Sequence, residues 1–87
     1  MSNPHRFTNP LHVWRMGRGL SVPKCAHKVG VTRVAWGRWE QGLDIPNDLN
    51  LVKLSRMIGV ENTETLLAEL MDWQSRHAAE YARVASA

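Results

Sequence analysis

Residues 19–42, GLSVPKCAHKVGVTRVAWGRWEQG, decide the fold of this chain. Ser21 and Thr32 each precede a short stretch with helical spacing, and each hydroxyl can accept a hydrogen bond from a free backbone N–H in the first turn of a helix. Gly30 lies between the two stretches, where glycine supplies the open backbone that ends one helix and lets another begin. The stretch therefore predicts a helix over residues 22–29, a tight turn, and a second helix over residues 33–41 that crosses the first steeply.

The sequence on either side predicts three more helices and a short arm. Residues 1–9 contain proline and asparagine without periodicity and predict a flexible N-terminal arm. Asn9 is the expected cap of a first helix over residues 10–18. Residues 48–58 have the apolar spacing of a helix that packs on a core. From residue 63 to about 84 there is no proline or glycine, so one long helix of about 33 Å is expected.

Length and composition predict a single small domain. A chain of 87 residues has a thin core, so a partner chain is a reasonable expectation. A single cysteine excludes an internal disulfide, and we interpret Cys25 as a small buried hydrophobic residue. No apolar run approaches a membrane span and the start does not resemble a signal peptide, so a cytoplasmic protein is expected.

Charge is divided unevenly along the chain. The net charge of +3 hides a first part, residues 1–39, with seven basic and no acidic residues. Residues 40–87 hold four basic residues against eight acidic ones. A basic part that contains the second helix of the turn unit is typical of a protein with a polyanionic partner. The acidic part favours protein contacts.

Two helices joined by a tight glycine turn have the spacing of a helix-turn-helix, whose second helix enters the DNA major groove. A larger set of residues recurs around this unit at consistent spacing: Arg15, Gly19, Leu20, Ser21, Ala26, Gly30, Val31, Thr32, Trp39, Glu40, Gly42, Pro46, Leu51, Leu54, Gly59 and Val60. The set resembles the Cro and phage-repressor (XRE-like) family, and the resemblance covers roughly residues 11–60, most of the globular part. The resemblance implies an all-α, five-helix, lambda-repressor-like domain that binds operator DNA, usually as a two-fold dimer.

The resemblance also implies which side chains contact bases: Arg33, Val34, Gly37 and Arg38. An arginine can donate to guanine O6 and N7 together, and the valine methyl groups suit a thymine methyl. Solvated or phosphate-bound charges are the alternative for the two arginines. Gly37 either lets the helix approach the groove floor, makes room for Trp36 and Trp39, or is a neutral substitution.

A second set of residues is expected at the DNA backbone: Ser21, Lys24, Lys28, Thr32, Gly42 and Leu43. The two lysines project away from the buried stripe of their helix, and the backbone N–H groups of Gly42 and Leu43 are implied by the resemblance. Val22 departs from the polar residue that relatives often carry at this position, so that contact is absent or replaced. The arm is either a frayed tail or a segment in which His5 and Arg6 reach along the DNA.

Two further features concern the core. The resemblance implies an ion pair between Arg15 and Glu40 that ties the first helix to the third, with two solvated charges as the alternative. Trp36 and Trp39 take the inward positions of the third helix, with stacking on bases as the minor alternative.

The last helix carries an apolar seam formed by Leu66, Leu70, Trp73, His77 and Tyr81, which recur in steps of four, three, four and four. We interpret the seam as a dimer interface, because it would otherwise leave a large exposed apolar patch. In that arrangement Leu67 and Met71 pack back on the domain. The alternative is a single helix folded across its own domain.

No pattern of catalytic or metal-binding residues is present. The four histidines, His5, His12, His27 and His77, are scattered, and none pairs with Cys25 at a zinc-ligand spacing. There is no phosphate-binding glycine loop and no nucleophile with a nearby base, so neither an enzyme nor a cofactor is expected.

The sequence as a whole predicts a flexible arm (1–9), a DNA-binding domain (10–60) and a long dimerisation helix (61–87). We expect a sequence-specific transcriptional regulator of the phage or plasmid type, a repressor that binds an inverted-repeat operator in double-stranded DNA as a homodimer. One alternative is an antitoxin-type autorepressor whose last helix binds a toxin. Another is a protein-interaction module without DNA binding.

Overall fold

Five α-helices make up the part of the chain that the structure describes. The computed structural model describes residues 8–86, with side chains for residues 8–77, and contains no strand in that range. The helices are α1 (Pro10–Gly17), α2 (Val22–Val29), α3 (Arg33–Gln41), α4 (Asp48–Ile58) and α5 (Thr63–Ser86). The all-α prediction is confirmed, including the long last helix. The first helix ends one residue earlier than predicted, with Arg18 as its C-cap.

Side-chain caps begin the helices at the positions that the sequence indicates. The hydroxyls of Ser21 and Thr32 accept hydrogen bonds from the backbone N–H groups of Lys24 and Ala35. Between these two helices Gly30 has a φ of 81°, a left-handed conformation in which a side chain would be strained. The three-residue turn between α2 and α3 therefore follows directly from local chemistry.

Asn9 belongs to the fold and not to a flexible arm. Its carboxamide oxygen accepts from the N–H groups of Leu11 and His12, and its Nδ2 donates to the carbonyl of Trp39 at 3.1 Å. One buried side chain thus caps α1 and joins it to the end of α3. Thr8, also predicted in the arm, accepts a hydrogen bond from the indole N–H of Trp73, and residues 1–7 lie outside the described residues.

The core lies where α1, α2 and α3 meet α4 and α5. The predicted inward positions of Trp36, Trp39 and Cys25 are confirmed, since all three are buried. The full buried cluster comprises Leu11, Cys25, Ala26, Val29, Trp36, Trp39, Leu51, Leu54, Leu66 and Leu70. Its last two members come from α5, so the core continues across the boundary predicted at residue 60.

The apolar seam of α5 requires a correction. Leu66, Leu70 and Trp73 are 1%, 2% and 4% exposed within the single chain, because α5 packs against α4 and α1. These side chains are internal and do not form a dimer interface. Met71, predicted to pack on the domain, is 53% exposed instead, whereas Leu67 does pack against the core.

His77 and Tyr81 are the other two members of the predicted seam. The imidazole of His77 lies against the indole of Trp73, with 5.2 Å between ring centroids. Tyr81 falls outside the residues whose side chains are described. Trp73 and His77 thus pack on each other within one chain.

Candidate nucleic-acid interface

The predicted base-contacting residues lie together on the outer face of α3. Arg33, Val34 and Arg38 are exposed, and Val34 is 67% exposed although it is apolar. These three residues and Gly37 border one shallow surface depression, whose remaining lining comes from Val22, Pro23, Gln41 and Leu43. The two tryptophans of α3 point the other way, into the core. We call the face formed by Arg33, Val34, Gly37 and Arg38 the α3 face.

Gly37 has little packed against it. Apart from the two adjacent residues and the backbone of the helix, the nearest atom to a Cβ built at this position is Nε2 of Gln41, at 3.9 Å, and no side-chain atom of Trp39 lies within 4 Å. The hypothesis that Gly37 makes room is therefore wrong for Trp39. Room for Trp36, close approach to a groove and a neutral substitution are the hypotheses that remain.

The residues predicted at the DNA backbone include two basic side chains of α2. Lys24 and Lys28 are both exposed. Ser21 and Thr32, also predicted at the DNA backbone, are exposed and accept their capping bonds through the hydroxyl oxygen. Because a hydroxyl that accepts can also donate, capping leaves both residues able to donate to a phosphate oxygen.

The predicted phosphate contacts at Gly42 and Leu43 need a correction. The N–H of Gly42 donates to the carbonyl of Trp39 at 3.2 Å, and the N–H of Leu43 donates to that of Arg38 at 2.9 Å. These bonds close the C-terminal end of α3, as is usual after a left-handed cap glycine. Both groups are therefore engaged within the protein, and the sequence alone could not separate this capping pattern from a phosphate clamp.

A buried carboxylate fixes α3 relative to α1. Glu40 is fully buried and accepts from Nε of Arg15 at 2.6 Å and from Nη2 of Arg15 at 3.1 Å, so the predicted ion pair is confirmed. Nδ1 of His12 lies 2.9 Å from the same carboxylate, and because a carboxylate only accepts, this nitrogen carries the hydrogen. The indole N–H of Trp36 donates to it as well.

Burial alone raises the pKa of Glu40, but the hydrogen bonds from Arg15, His12 and Trp36 stabilise the charged form and bring the pKa below its usual range. Sequence reasoning missed His12, which it treated as one of four scattered histidines. The signal was available, because His12 lies three residues before Arg15 and so on the same side of α1. The cluster of Glu40 with Arg15, His12 and Trp36 joins the buried side of α3 to α1. It does not lie on the exposed side of α3.

The middle of α5 supports the end of α3. The indole ring of Trp73 packs on Gly42, and its N–H donates to the hydroxyl of Thr8 at 2.7 Å. Nε2 of Gln74 donates to the carbonyl of Gly42 at 2.8 Å. None of these contacts follows from a sequence motif, since they join residues 32 and 65 positions apart.

An acidic residue lies at the edge of the α3 face. Nε of Arg38 donates to Oδ2 of Asp44 at 2.5 Å, and both side chains are about half exposed. The hydrogen bond from Arg38 lowers the pKa of Asp44. The sequence analysis did not predict that an acidic residue pairs with one of the predicted base-contacting arginines.

Comparison of the chain with protein-family models, curated proteins and solved structures gives no significant match. The functional conclusion therefore depends on the geometry and charge of the site.

The residues that the structure describes offer neither a metal site nor a membrane-spanning helix. Among them, no three histidine, cysteine, aspartate or glutamate side chains come together in a way that could hold a metal ion. In the same part of the chain, no helix has the length and apolar character needed to cross a lipid bilayer.

Proposed function

We propose that this protein is a sequence-specific double-stranded DNA-binding regulator that represses by occupying an inverted-repeat operator as a homodimer. One observation carries the proposal: Arg33, Val34, Gly37 and Arg38 share one exposed face of a helix that begins directly after a tight turn. The chain has no acidic residue before Glu40, and that residue is buried. Asp44, which pairs with Arg38, places a negative charge at the edge of this face.

The chemistry of the α3 face suits the edges of base pairs. An α-helix fits the major groove, where Arg33 can donate two hydrogen bonds to a guanine and Val34 can contact a thymine methyl. Lys24 and Lys28 on α2 are exposed, and their ammonium groups can contact phosphates. Such contacts release counterions, so affinity should fall steeply as salt rises.

A two-fold operator requires a second copy of the chain, with half-sites about 34 Å apart. Since Leu66, Leu70 and Trp73 are internal, the second copy has to use another surface. We propose the exposed apolar side chains of α4 and of the described part of α5, among which are Leu49, Val52 and Met71. Sedimentation of Val52→Glu should then show more monomer, whereas Val13→Glu, at an equally apolar exposed position on α1, should not.

The experiment that tests the proposal is selection of bound duplexes from a random pool. The wild-type chain should recover an inverted repeat. Arg33→Ala should lose preference at one symmetric base-pair position, whereas Arg56→Ala, at an exposed position on α4, should keep the whole pattern. Recovery of no common sequence would contradict the proposal.

The interaction-module alternative makes the opposite prediction for salt. For a protein that makes several phosphate contacts, a plot of log affinity for duplex DNA against log salt concentration has a negative slope of several units. A chain without DNA binding would show no such salt-dependent affinity. The antitoxin alternative needs a toxin-binding surface on α5, and the burial of Leu66, Leu70 and Trp73 removes most of the apolar surface on which it depended.

A further inference from the structure

The pair formed by Arg38 and Asp44 is a specific feature of the α3 face. Nε of Arg38 lies 2.5 Å from Oδ2 of Asp44, and Nη2 lies 3.5 Å from Oδ1. The carboxylate therefore takes the Nε side of the guanidinium. With exposures of 48% and 49%, both side chains remain open to an approaching DNA duplex.

The backbone holds the two residues together. Gly42 turns the chain with a φ of 75°, and the N–H of Leu43 then donates to the carbonyl of Arg38 itself at 2.9 Å. Asp44 follows immediately, so its side chain starts beside the residue with which it pairs. The support of Gly42 by Trp73 and Gln74 extends this fixed geometry to α5.

The charge of Asp44 affects DNA binding in two ways. Its carboxylate is ionised, because the hydrogen bond from Arg38 lowers its pKa. An ionised carboxylate repels phosphates, and the pair as a whole is formally neutral. Arg38 therefore adds little to the sequence-independent attraction between the protein and DNA phosphates. An arginine without such a carboxylate partner would bind phosphates in DNA of any sequence.

We infer that Asp44 is a positioning residue that determines specificity, an inference that rests on the DNA-binding function proposed above. It orients the guanidinium of Arg38 so that the edge opposite Nε meets a guanine, and it disfavours use of the same arginine on phosphates. Fixing the side chain before binding reduces the entropy lost on contact with the base. Asp44 thereby widens the gap between operator and non-specific affinity.

The test compares Asp44→Asn with a matched control. Asparagine keeps the size of the side chain and removes its charge. Asp72→Asn removes one negative charge from a similar exposed pair on α5, in which Oδ2 of Asp72 lies 2.9 Å from Nη2 of Arg76. Both variants and Arg38→Ala are compared with the wild-type chain by duplex selection. Their affinities for the selected operator and for an unrelated duplex are then measured over a range of salt concentrations. Circular dichroism checks that each variant is folded.

The expected result separates the two variants. Asp44→Asn should weaken the preference at the base pair lost in Arg38→Ala by roughly tenfold, in line with the discrimination that an oriented bidentate arginine provides. It should also raise affinity for the unrelated duplex and steepen its salt slope by about one unit, because Arg38 can then contact a phosphate. Asp72→Asn should change neither base preference nor slope.

In a chain that already carries Arg38→Ala, Asp44→Asn should cause no further loss of preference at that base pair. An additional loss there would overturn the inference, because Asp44 would then act without Arg38.

Three other results would overturn the inference. Unchanged preference in Asp44→Asn, with a clear loss in Arg38→Ala, would mean that the carboxylate does not orient the arginine. A sharper preference in Asp44→Asn would mean that Asp44 competes with the base. If the wild-type chain selects no sequence, the proposed function fails as well, and this is visible in the wild-type measurement alone.

Discussion

The indole ring of Trp73 occupies the space that a side chain at Gly42 would need. A Cβ at position 42 would lie 2.5 Å from Cζ3 of Trp73, and the backbone there has a φ of 75°. Conformation and packing therefore both require glycine at this point. The close contact lets α5 lie directly against the end of α3.

We expect Gly42→Ala to destabilise the fold by about 2–5 kcal/mol, the sum of left-handed strain and overpacking against the indole. Gly59→Ala is the matched control, because Gly59 has a φ of 85° but nothing within 4 Å of its Cβ position. It should lose only the strain contribution, about 1–2 kcal/mol. Urea unfolding of both variants measures the difference, and equal losses would mean that Trp73 moves aside without cost.

Glu40→Ala should lower the free energy of unfolding by about 3–5 kcal/mol, because it leaves the guanidinium of Arg15 without its partner in a mostly buried site. Glu69→Ala, on the exposed side of α5, should change it by less than about 0.5 kcal/mol. Chemical denaturation provides the comparison. A small effect at Glu40 would show that the cluster of Arg15, His12 and Trp36 reorganises around the gap.

Stability should also depend on pH through Glu40. Its folded pKa lies below the ordinary glutamate value of about 4.3. The ion pair therefore contributes fully above that value, and the contribution is lost as pH falls through the folded pKa, because the unfolded chain takes up the proton first. Unfolding curves of wild type and Glu40→Gln from pH 7 downward measure this. The difference in free energy between them should shrink below about pH 4, and a constant difference would contradict the prediction.

Gly37→Ala should stabilise the fold by about 1 kcal/mol, because alanine favours a helix interior and the added methyl group makes only an ordinary contact, at 3.9 Å, with Nε2 of Gln41. The same methyl group should reduce operator affinity if α3 approaches the groove floor at this position. Gly17→Ala, at another open position, is the control and should leave affinity unchanged. Thermal melting and DNA titration together separate the two effects, and unaltered affinity in Gly37→Ala would favour the neutral-substitution hypothesis.

The orientation of α5 can be checked with two adjacent residues. Leu70→Ala should cost about 2–5 kcal/mol, because the side chain is 2% exposed and fills the core. Met71→Ala, at 53% exposure, should cost less than about 0.5 kcal/mol. If urea unfolding showed a larger loss of stability for Met71→Ala than for Leu70→Ala, then the side of α5 that carries Met71 would face the domain.

The sequence was most informative where the determining chemistry is local. Ser21, Thr32 and the left-handed glycines act on their immediate neighbours, so they predicted the helix limits to within a residue. The pairing of Arg15 with Glu40 spans 25 positions and came from family resemblance, because no local pattern encodes it.

The orientation of α5 could not be obtained in the same way. Periodicity shows that Leu66, Leu70 and Trp73 lie on one side of a helix, but an apolar side can face its own domain or another chain. The pairing of Arg38 with Asp44 was equally invisible, because a separation of six residues across a turn matches no helical spacing.

The bond between Trp73 and Thr8 has a consequence for synthesis on the ribosome. It joins residues 65 positions apart, and the core lacks Leu66 and Leu70 until α5 has been made. At translation rates of about 5–20 residues per second, α5 is synthesised seconds after α1 to α4, and the core cannot be filled before then. A nascent chain that stalls near residue 60 therefore carries every residue of the α3 face on an unfinished core, in which the apolar side chains that Leu66 and Leu70 would cover are exposed to solvent.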